Sequence, residues 1–511
     1  MTQKHILAGA VALGAMALAN SVLIKADVAD DIRYYLEEGE FDTASQMLAL
    51  ALEDTENSSI AGKLYQLEGE IQYNSPGQRR ASHLAFMEAR QRGIPEASLY
   101  LGRLAMLDYN FPEAQKLFGE YSERMKKAKR QLDPDFTFDT ADLEEGKRQF
   151  ARMQEIVVID AVKVPKKEFF KHLRLPLSAG RVVATSELPL TAGVERGPAG
   201  YISESGELMM WSELNDSTGM LGLMEASKLI DGTLSEPHPA PDFLAQEGDA
   251  INPFLSADGT TLYYAANGDN SVGGFDIFLA TRDPLTGEYL QPVNAGIPFN
   301  SAADEYVMAI DEENGVGWWA TDRHYLPDDQ ITLYVYVLPE ARVNLDTDDE
   351  EKRLRARLDD IRLTWTPVAT SAETEDEESD EDEETATATE HRESAEELAK
   401  RYSALASEIR KIEPGQKPGR RDCVIPLGKG KYIYSADDVR GAEEKRLVEE
   451  YIAAEKRYQS DRARLSQLRR EWAAQDSRGA SLEISSLEES VESQRRAITT
   501  LLSNLYRLLK K

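Results

Sequence analysis

The chain has 511 residues, length for roughly two to four domains, and carries 91 acidic against 59 basic side chains, a formal charge of −32. That surplus argues against nucleic acid as a partner, because phosphate binding needs clustered Lys and Arg. Cys423 is the only cysteine, which excludes an intrachain disulfide and a cysteine-based zinc site.

The N-terminus reads as an export signal over residues 1–26. Lys4 precedes an Ala-rich apolar run from Ile6 to Ala19 that ends in the small-x-small pattern Ala17-Leu18-Ala19, so cleavage is expected near residue 19. The alternative is an uncleaved anchor, since apolar character continues to Ile24. With no cysteine at the cleavage site, no lipid anchor is expected. The bulk of the chain is then placed in the periplasm or at the outer membrane.

Residues 27–153 carry a helical period with an internal repeat. Phe41-Asp42-Thr43-Ala44 recurs as Phe111-Pro112-Glu113-Ala114, and Ala81 with Phe86 marks a weaker copy. The alanines are 37 and 33 residues apart, close to the ~34-residue step of tetratricopeptide repeats. A small residue lets paired helices approach while the aromatic fills the gap beside it. Leu48, Leu52, Leu64, Leu67, Leu101, Leu104 and Leu117 form the expected seam. Such arrays bind partner proteins on a concave face.

From Ile156-Val157-Val158-Ile159 the period changes to two, and residues 155–345 read as short strands. Ser205-Gly206, Asp258-Gly259 and Asn314-Gly315 each precede an apolar strand, with glycines 53 and 56 residues apart. Asp231 to Pro237 aligns with Thr286 to Pro292, and Glu247-Gly248-Asp249 with Ala303-Asp304-Glu305. A ~50-residue period of short strands is the signature of propeller blades. About four blades' worth of chain is expected, with the first irregular and the ring small or incomplete.

The stretch NPFLSADGTTLYYAANGDNSVGGFDIF, Asn252 to Phe278, resembles the WD40-like (PD40) repeat of TolB-type propellers. Pro253, Phe254, Ser256, Asp258, Gly259, Asp276, Ile277 and Phe278 match that pattern, and Ala257 departs from it where proline is usual. VVIDAVKVPKKEFFKHLRL, GIPFNSAADEYVMAIDEENGVGWWATDR and CVIPLGKGKYIYSADDVR resemble segments of a Bacteroidetes envelope family. The resemblance spans roughly residues 155–440 and implies a tetratricopeptide-like region before a propeller. The related peptidoglycan-binding domain of the OmpA type is not matched at this C-terminus.

Residues 346–368 read as a capping helix, with Leu354, Leu358, Ile361 and Trp365 on one face. Residues 369–392, with ten acids between Glu373 and Glu384, read as a solvated linker. Residues 393–511 read as helical, with a short hairpin near 423–434. In the last helices Tyr451, Tyr458, Leu465 and Trp472 fall seven apart. Ile484, Leu487, Val491, Gln494, Ile498, Leu501, Leu505 and Leu508 keep a heptad with one polar member. That pattern suits an antiparallel hairpin or an intermolecular coiled coil, with self-association through 440–511.

The fold class is therefore multidomain, α plus all-β. No catalytic constellation is present: the six histidines are dispersed, and HExxH, GxSxG and GxxxxGK[ST] are absent. No catalytic residue, metal ligand or cofactor is expected. Trp318 and Trp319 are candidates for a glycan platform, one ring at most, since alternation sends them to opposite faces of a strand. Asp304, Glu305, Asp322 and Arg323 are expected to make turn and inter-blade contacts, with a channel mouth as the alternative. The expected role is a non-enzymatic envelope scaffold that binds protein partners, with a glycan- or ligand-sensing protein that contacts the cell wall as the rival.

Overall fold

The computed structural model describes residues 28–229, 233–283, 287–339, 341–366, 394–412, 425–428, 431–433, 436, 439, 441–475 and 480–509. The export signal, the acidic linker and Cys423 lie outside them. Two compact units emerge, residues 1–106 with 110–140, and residues 107–109 with 141–511.

The first unit is built of helices α1 (Val28–Glu37), α2 (Phe41–Glu53), α3 (Ala61–Tyr73), α4 (Arg79–Gln91), α5 (Glu96–Leu107) and α6 (Phe111–Ala128). Helix α7 (Phe136–Ala151) contains the boundary between the units. Successive pairs repeat one contact. A Cβ on Gly69 of α3 would meet the Phe86 ring of α4 at 2.5 Å, and one on Gly102 of α5 would meet the Phe118 ring of α6 at 2.3 Å. Only glycine admits that approach, so the ring of each second helix lies against the backbone of the first. Ala44 and Ala114 are fully buried, but the matching position on α4 is Ser82, also fully buried, whereas Ala81 is half-buried. The sequence alignment of the middle copy is thus one residue out. Of the expected seam, Leu52 alone is half-buried and the other six leucines are buried.

Among the described residues the second unit holds three large antiparallel sheets and a two-stranded one. The first has the order β2-β3-β4-β5-β6, from β2 (Arg181–Ala184), β3 (Ala199–Ile202), β4 (Leu208–Asn215), β5 (Met220–Ser227) and β6 (His238–Pro239). The second, β10-β9-β8-β7, uses β7 (Ala250–Leu255), β8 (Thr261–Ala266), β9 (Asp276–Thr281) and β10 (Val293–Asn294). The third, β1-β13-β12-β11, combines β11 (Glu305–Asp311), β12 (Val316–Leu326) and β13 (Gln330–Val337) with β1 (Val157–Pro165). Where about four blades' worth of strands is expected, residues 155–345 form three sheets among the described residues, and no closed ring of sheets is found. The physical reason is β1: it does not start a sheet of its own but pairs with β13 from Val157↔Val337 to Pro165↔Gln330.

The sequence period corresponds to repeated hydrogen bonds. Leu214 N–H donates to Glu195 O at 2.9 Å, Asn267 to Asp249 O at 3.2 Å and Asp322 to Asp304 O at 3.0 Å. Lys228 to Glu207 O, Arg282 to Thr260 O and Leu338 to Gly315 O form a second such set. Gly206, Gly259 and Gly315 have φ of 69°, 74° and 67°, the left-handed conformation that a tight turn demands and glycine tolerates.

The expected capping helix is also corrected. Helix α8 (Asp349–Arg357) stops at Leu358, whose φ is 55°. The stripe breaks because Leu354 points to solvent while Leu358 is buried. The next turn, Ile361–Trp365, crosses the edge of β1: Val158 N–H donates to Thr364 Oγ1 at 2.9 Å and Trp365 Nε1–H donates to Val158 O at 2.7 Å. Farther along, Lys163 and Pro165 guard the same edge. Helix α9 (Ala395–Ile409), opened by a Ser394–Glu397 capping box, places Leu398, Tyr402, Ala406 and Ile409 in the sheet core.

The last helices, α10 (Ala442–Gln475) and α11 (Ala480–Leu509), pack on each other. Leu447, Val448 and Tyr451 near the start of α10 meet Leu505 near the end of α11, so the pair is an antiparallel hairpin within one chain. Gln494 Nε2–H donates across it to Asp461 Oδ2 at 2.7 Å. Of the two arrangements the heptads allow, this is the intramolecular one. The predicted short hairpin consists of β14 (Ile425–Gly428) and β15 (Lys431–Ile433).

Candidate functional site

The helical unit contains a groove of about 440 Å³ lined from α1, α3 and α5, the first helices of successive pairs, and from Arg130 and Asp133 beyond α6. Leu67, Ile94 and Leu99 supply its apolar surface. Arg33, Lys63, Gln66, Glu70, Glu96 and Tyr100 supply its polar surface. Glu70 is buried and accepts from Arg33 Nη1–H at 3.2 Å and from Gln66 Nε2–H at 2.9 Å. The Gln66 carboxamide, 2 % exposed, is left with an Oε1 that has no partner. A buried carbonyl oxygen without a donor is costly, on the order of 1–3 kcal/mol. Tyr100 stacks on Phe86 at 4.7 Å between ring centroids, and burial followed by the Glu70 charge pushes its hydroxyl pKa up. Arg130 pairs with Glu96 at the far rim. The groove thus combines apolar patches with both signs of charge, the chemistry that suits an extended peptide.

Gln66 and Glu70 leave a signal in the sequence, two polar residues one turn apart in an otherwise apolar seam, that the leucine pattern alone does not single out.

The blade-motif residues are structural. Pro253, Phe254, Ile277 and Phe278 are buried in β7 and β9. Asp258 Oδ1 accepts from Ser256 Oγ–H at 2.6 Å and from the Thr260 amide and hydroxyl at 2.9 and 2.7 Å. Burial opposes its charge, but these hydrogen bonds hold the carboxyl below its usual range. They tie the turn that ends at Gly259.

Trp318 and Trp319 are 3 % and 0 % exposed. The glycan-platform expectation is corrected: neither ring has a free face. Alternation does send them to opposite sides of β12, but both sides are covered. Trp319 lies stacked against Tyr334 at 4.8 Å and edge-on to Phe299 at 5.3 Å.

The four residues weighed for a channel mouth bond between segments. Asp304 Oδ1 accepts from Phe275 N–H of the preceding sheet at 3.0 Å, and Asp322 Oδ1 accepts from Asp304 N–H at 3.0 Å. Glu305 is wholly buried and accepts from Ser301 N–H and Oγ–H, Thr321 Oγ1–H and Arg323 Nη2–H, the last at 3.3 Å. Arg323 also donates to the carbonyls of Pro298, Phe299 and Ala356. All four side chains are engaged in joining segments. Beside them Asp276, fully buried, accepts from Val272 N–H and Asn294 Nδ2–H through Oδ2, while its Oδ1 has no partner. Burial, then the Glu305 charge, raises the Asp276 pKa well above the carboxylate range, and burial pushes Glu305 up to about 7.

Among the described residues no group of three or more His, Cys, Asp and Glu side chains is arranged to hold a metal, and no helix is long and apolar enough to cross a membrane. No protein-family model, curated protein or solved structure matches the chain.

Proposed function

We propose that this protein is a non-enzymatic scaffold or adaptor of a bacterial cell envelope that holds an extended segment of a partner protein in the groove of its helical unit. In this reading the helical pairs are tetratricopeptide-like repeats, and the three sheets are blades of a small, incomplete propeller of the WD40-like, TolB-related kind. The exported location rests on the N-terminal signal pattern; assembly through residues 436–511 would use the α10–α11 hairpin as a unit, since its heptads pair within the chain.

The observation that carries the reading is the groove itself, about 440 Å³ and lined mainly from the first helices of successive pairs. Apolar Leu67, Ile94 and Leu99 beside Arg33, Lys63, Glu70 and Glu96 suit an extended peptide with side chains of both kinds. The glycan-sensing rival does not find its platform at Trp318 or Trp319, since both are buried.

Crosslinked capture from envelope fractions tests it, comparing the whole chain, Gln66→Leu with Lys63→Glu, and a chain lacking residues 436–511. The adaptor reading expects a defined partner that the groove variant loses while melting normally. Identical capture by the groove variant sinks the groove, and identical capture by the truncated chain sinks assembly through the helices.

A further inference from the structure

A second crevice, separate from the helical groove, opens in the sheet unit between the β4–β5 hairpin and the strap 239–248 that leads into β7. Its volume is about 550 Å³, within the range of ~300–1,000 Å³ typical of ligand sites. Leu214, Met220, Leu223, Met224 and Leu244 make it predominantly apolar, and Met220 stands 38 % exposed at its mouth.

The internal repeat explains why this space is empty. Leu221 N–H donates to Asp249 Oδ1 at 2.7 Å just as Phe275 N–H donates to Asp304 Oδ1 at 3.0 Å. Likewise Ala240 N–H to Leu223 O is repeated as Ala295 N–H to Ile277 O. The same frame therefore surrounds both junctions between sheets. At the second junction the β8–β9 connection, 267–275, fills the frame. A Cβ on Gly273 or Gly274 there would meet Ala302 at 2.7 Å or Asp304 at 2.0 Å. At the first junction the β4–β5 connection is only 216–219, and the crevice remains, with Thr218 among its lining.

The rim is held open and charged. Gln246 and Glu247 are consecutive non-glycine residues with φ of 54° and 62°, a strained pairing that surrounding bonds must enforce. Asp269 N–H donates to Gln246 O, and Asn270 Nδ2–H donates to Gln246 Oε1 at 3.0 Å. Gln246 is thereby anchored, and Glu247 and Asp242 of the same strap are exposed in the lining. Glu213, the third acid of the lining, is already paired with Arg196 at 2.8 Å. Among the described residues that line the crevice there is no lysine, arginine or histidine.

We infer that this crevice docks a cationic amphipathic segment of a partner protein, an aliphatic or aromatic anchor in the apolar floor with flanking Arg or Lys against Asp242 and Glu247. The two methionines suit an anchor of varied shape, because the thioether side chain adapts without strain. Charge complementarity at the rim selects the sign of the flanks and speeds encounter.

Fluorescence anisotropy with the whole chain tests this, using a short labelled peptide with a central Leu-Phe pair between arginines. Saturable binding is expected. It should weaken at least about tenfold for Asp242→Lys with Glu247→Lys and for Thr218→Trp, which fills the crevice, and should fall as salt rises. Each variant is checked for an unchanged melting temperature. Gln66→Leu in the helical groove should leave this binding intact, so the two sites fail separately. The inference is overturned if the peptide does not bind, if its arginine-to-glutamate version binds equally, if neither crevice variant weakens it, or if only an uncharged apolar dye occupies the crevice.

Discussion

Asn252 donates from Nδ2 to the carbonyl of Tyr306 at 2.7 Å, and its Oδ1 accepts from the amide of Ala199 at 3.2 Å. One fully buried side chain on β7 thus joins β3 of the sheet before it to β11 of the sheet after it. Its backbone φ is 53°, a conformation that asparagine tolerates better than most residues. Replacing it by alanine strands two buried backbone groups, each worth ~1–3 kcal/mol. Asn252→Ala should therefore lower unfolding stability by about 3 kcal/mol in urea melts of the whole chain, with Asn252→Asp recovering part of the loss. A change within the error of the melt would show that the sheets cohere without this link.

The pH response should run opposite to that of a carboxylate whose pKa is lowered on folding. Asp276 and Glu305 are both raised, Glu305 to about 7, with burial as the leading cause. The folded state then binds protons more tightly than the unfolded state, whose carboxyls titrate near ~4. The stabilisation is complete below the unfolded values and is lost as pH rises through the folded ones. The melting temperature should drop between pH 5 and pH 8, and Asp276→Asn should flatten that drop. Equal slopes in the two proteins would remove Asp276 from the account.

In the helical unit, Gly102→Ala places a methyl 2.3 Å from the Phe118 ring. Alanine gains ~1 kcal/mol in helix propensity, but overpacking costs ~1–3 kcal/mol, so the sign of the balance is destabilising. Phe118→Leu in the same chain should restore most of the loss. If Gly102→Ala alone stabilises the helices, measured by circular dichroism, the close approach is not what sets the spacing.

Trp365 closes the exposed edge of β1 through its bond to Val158 O. Trp365→Phe keeps most of the ring packing against Tyr402 but leaves that carbonyl without its donor. A loss of about 1 kcal/mol is expected, together with faster hydrogen exchange in β1 than in β12. Unaltered exchange in β1 would mean that the edge is held by β13 alone.

The antiparallel hairpin of α10 and α11 makes its own prediction. Gln494 and Asp461 meet across the seam, so Gln494→Leu should raise the stability of residues 441–511 while relaxing their register. Disulfide trapping of cysteine pairs engineered along the seam reads the register directly. A single trapped register in both proteins would show that the polar pair is not its determinant.

Much of the β unit was legible because it rests on local backbone demands. Gly206, Gly259 and Gly315 adopt positive φ in equivalent turns, a requirement that leaves glycine in the sequence at a regular step. The polar turn Ser256-Ala257-Asp258-Gly259 is likewise closed by its own neighbours. The heptads of the terminal helices foretold a paired seam, since a period near 3.5 keeps one face against a partner.

What the sequence by itself determined, then, is the set of units whose geometry is settled within a few residues: helical hairpins, tight turns and a strand period of about 55 residues. Tertiary structure decided the rest. Alternation along β12 separates Trp318 from Trp319, but only neighbouring elements decide that both faces are covered. The strand Val157–Pro165 carries no mark of its partner, because its pairing with β13 lies some 170 residues away and depends on which edge is left open. The lengths of connections 216–219 and 267–275 were visible from the start. That the shorter leaves a crevice and the longer fills one emerges only when both are set in the same frame of hydrogen bonds, Leu221 to Asp249 and Phe275 to Asp304.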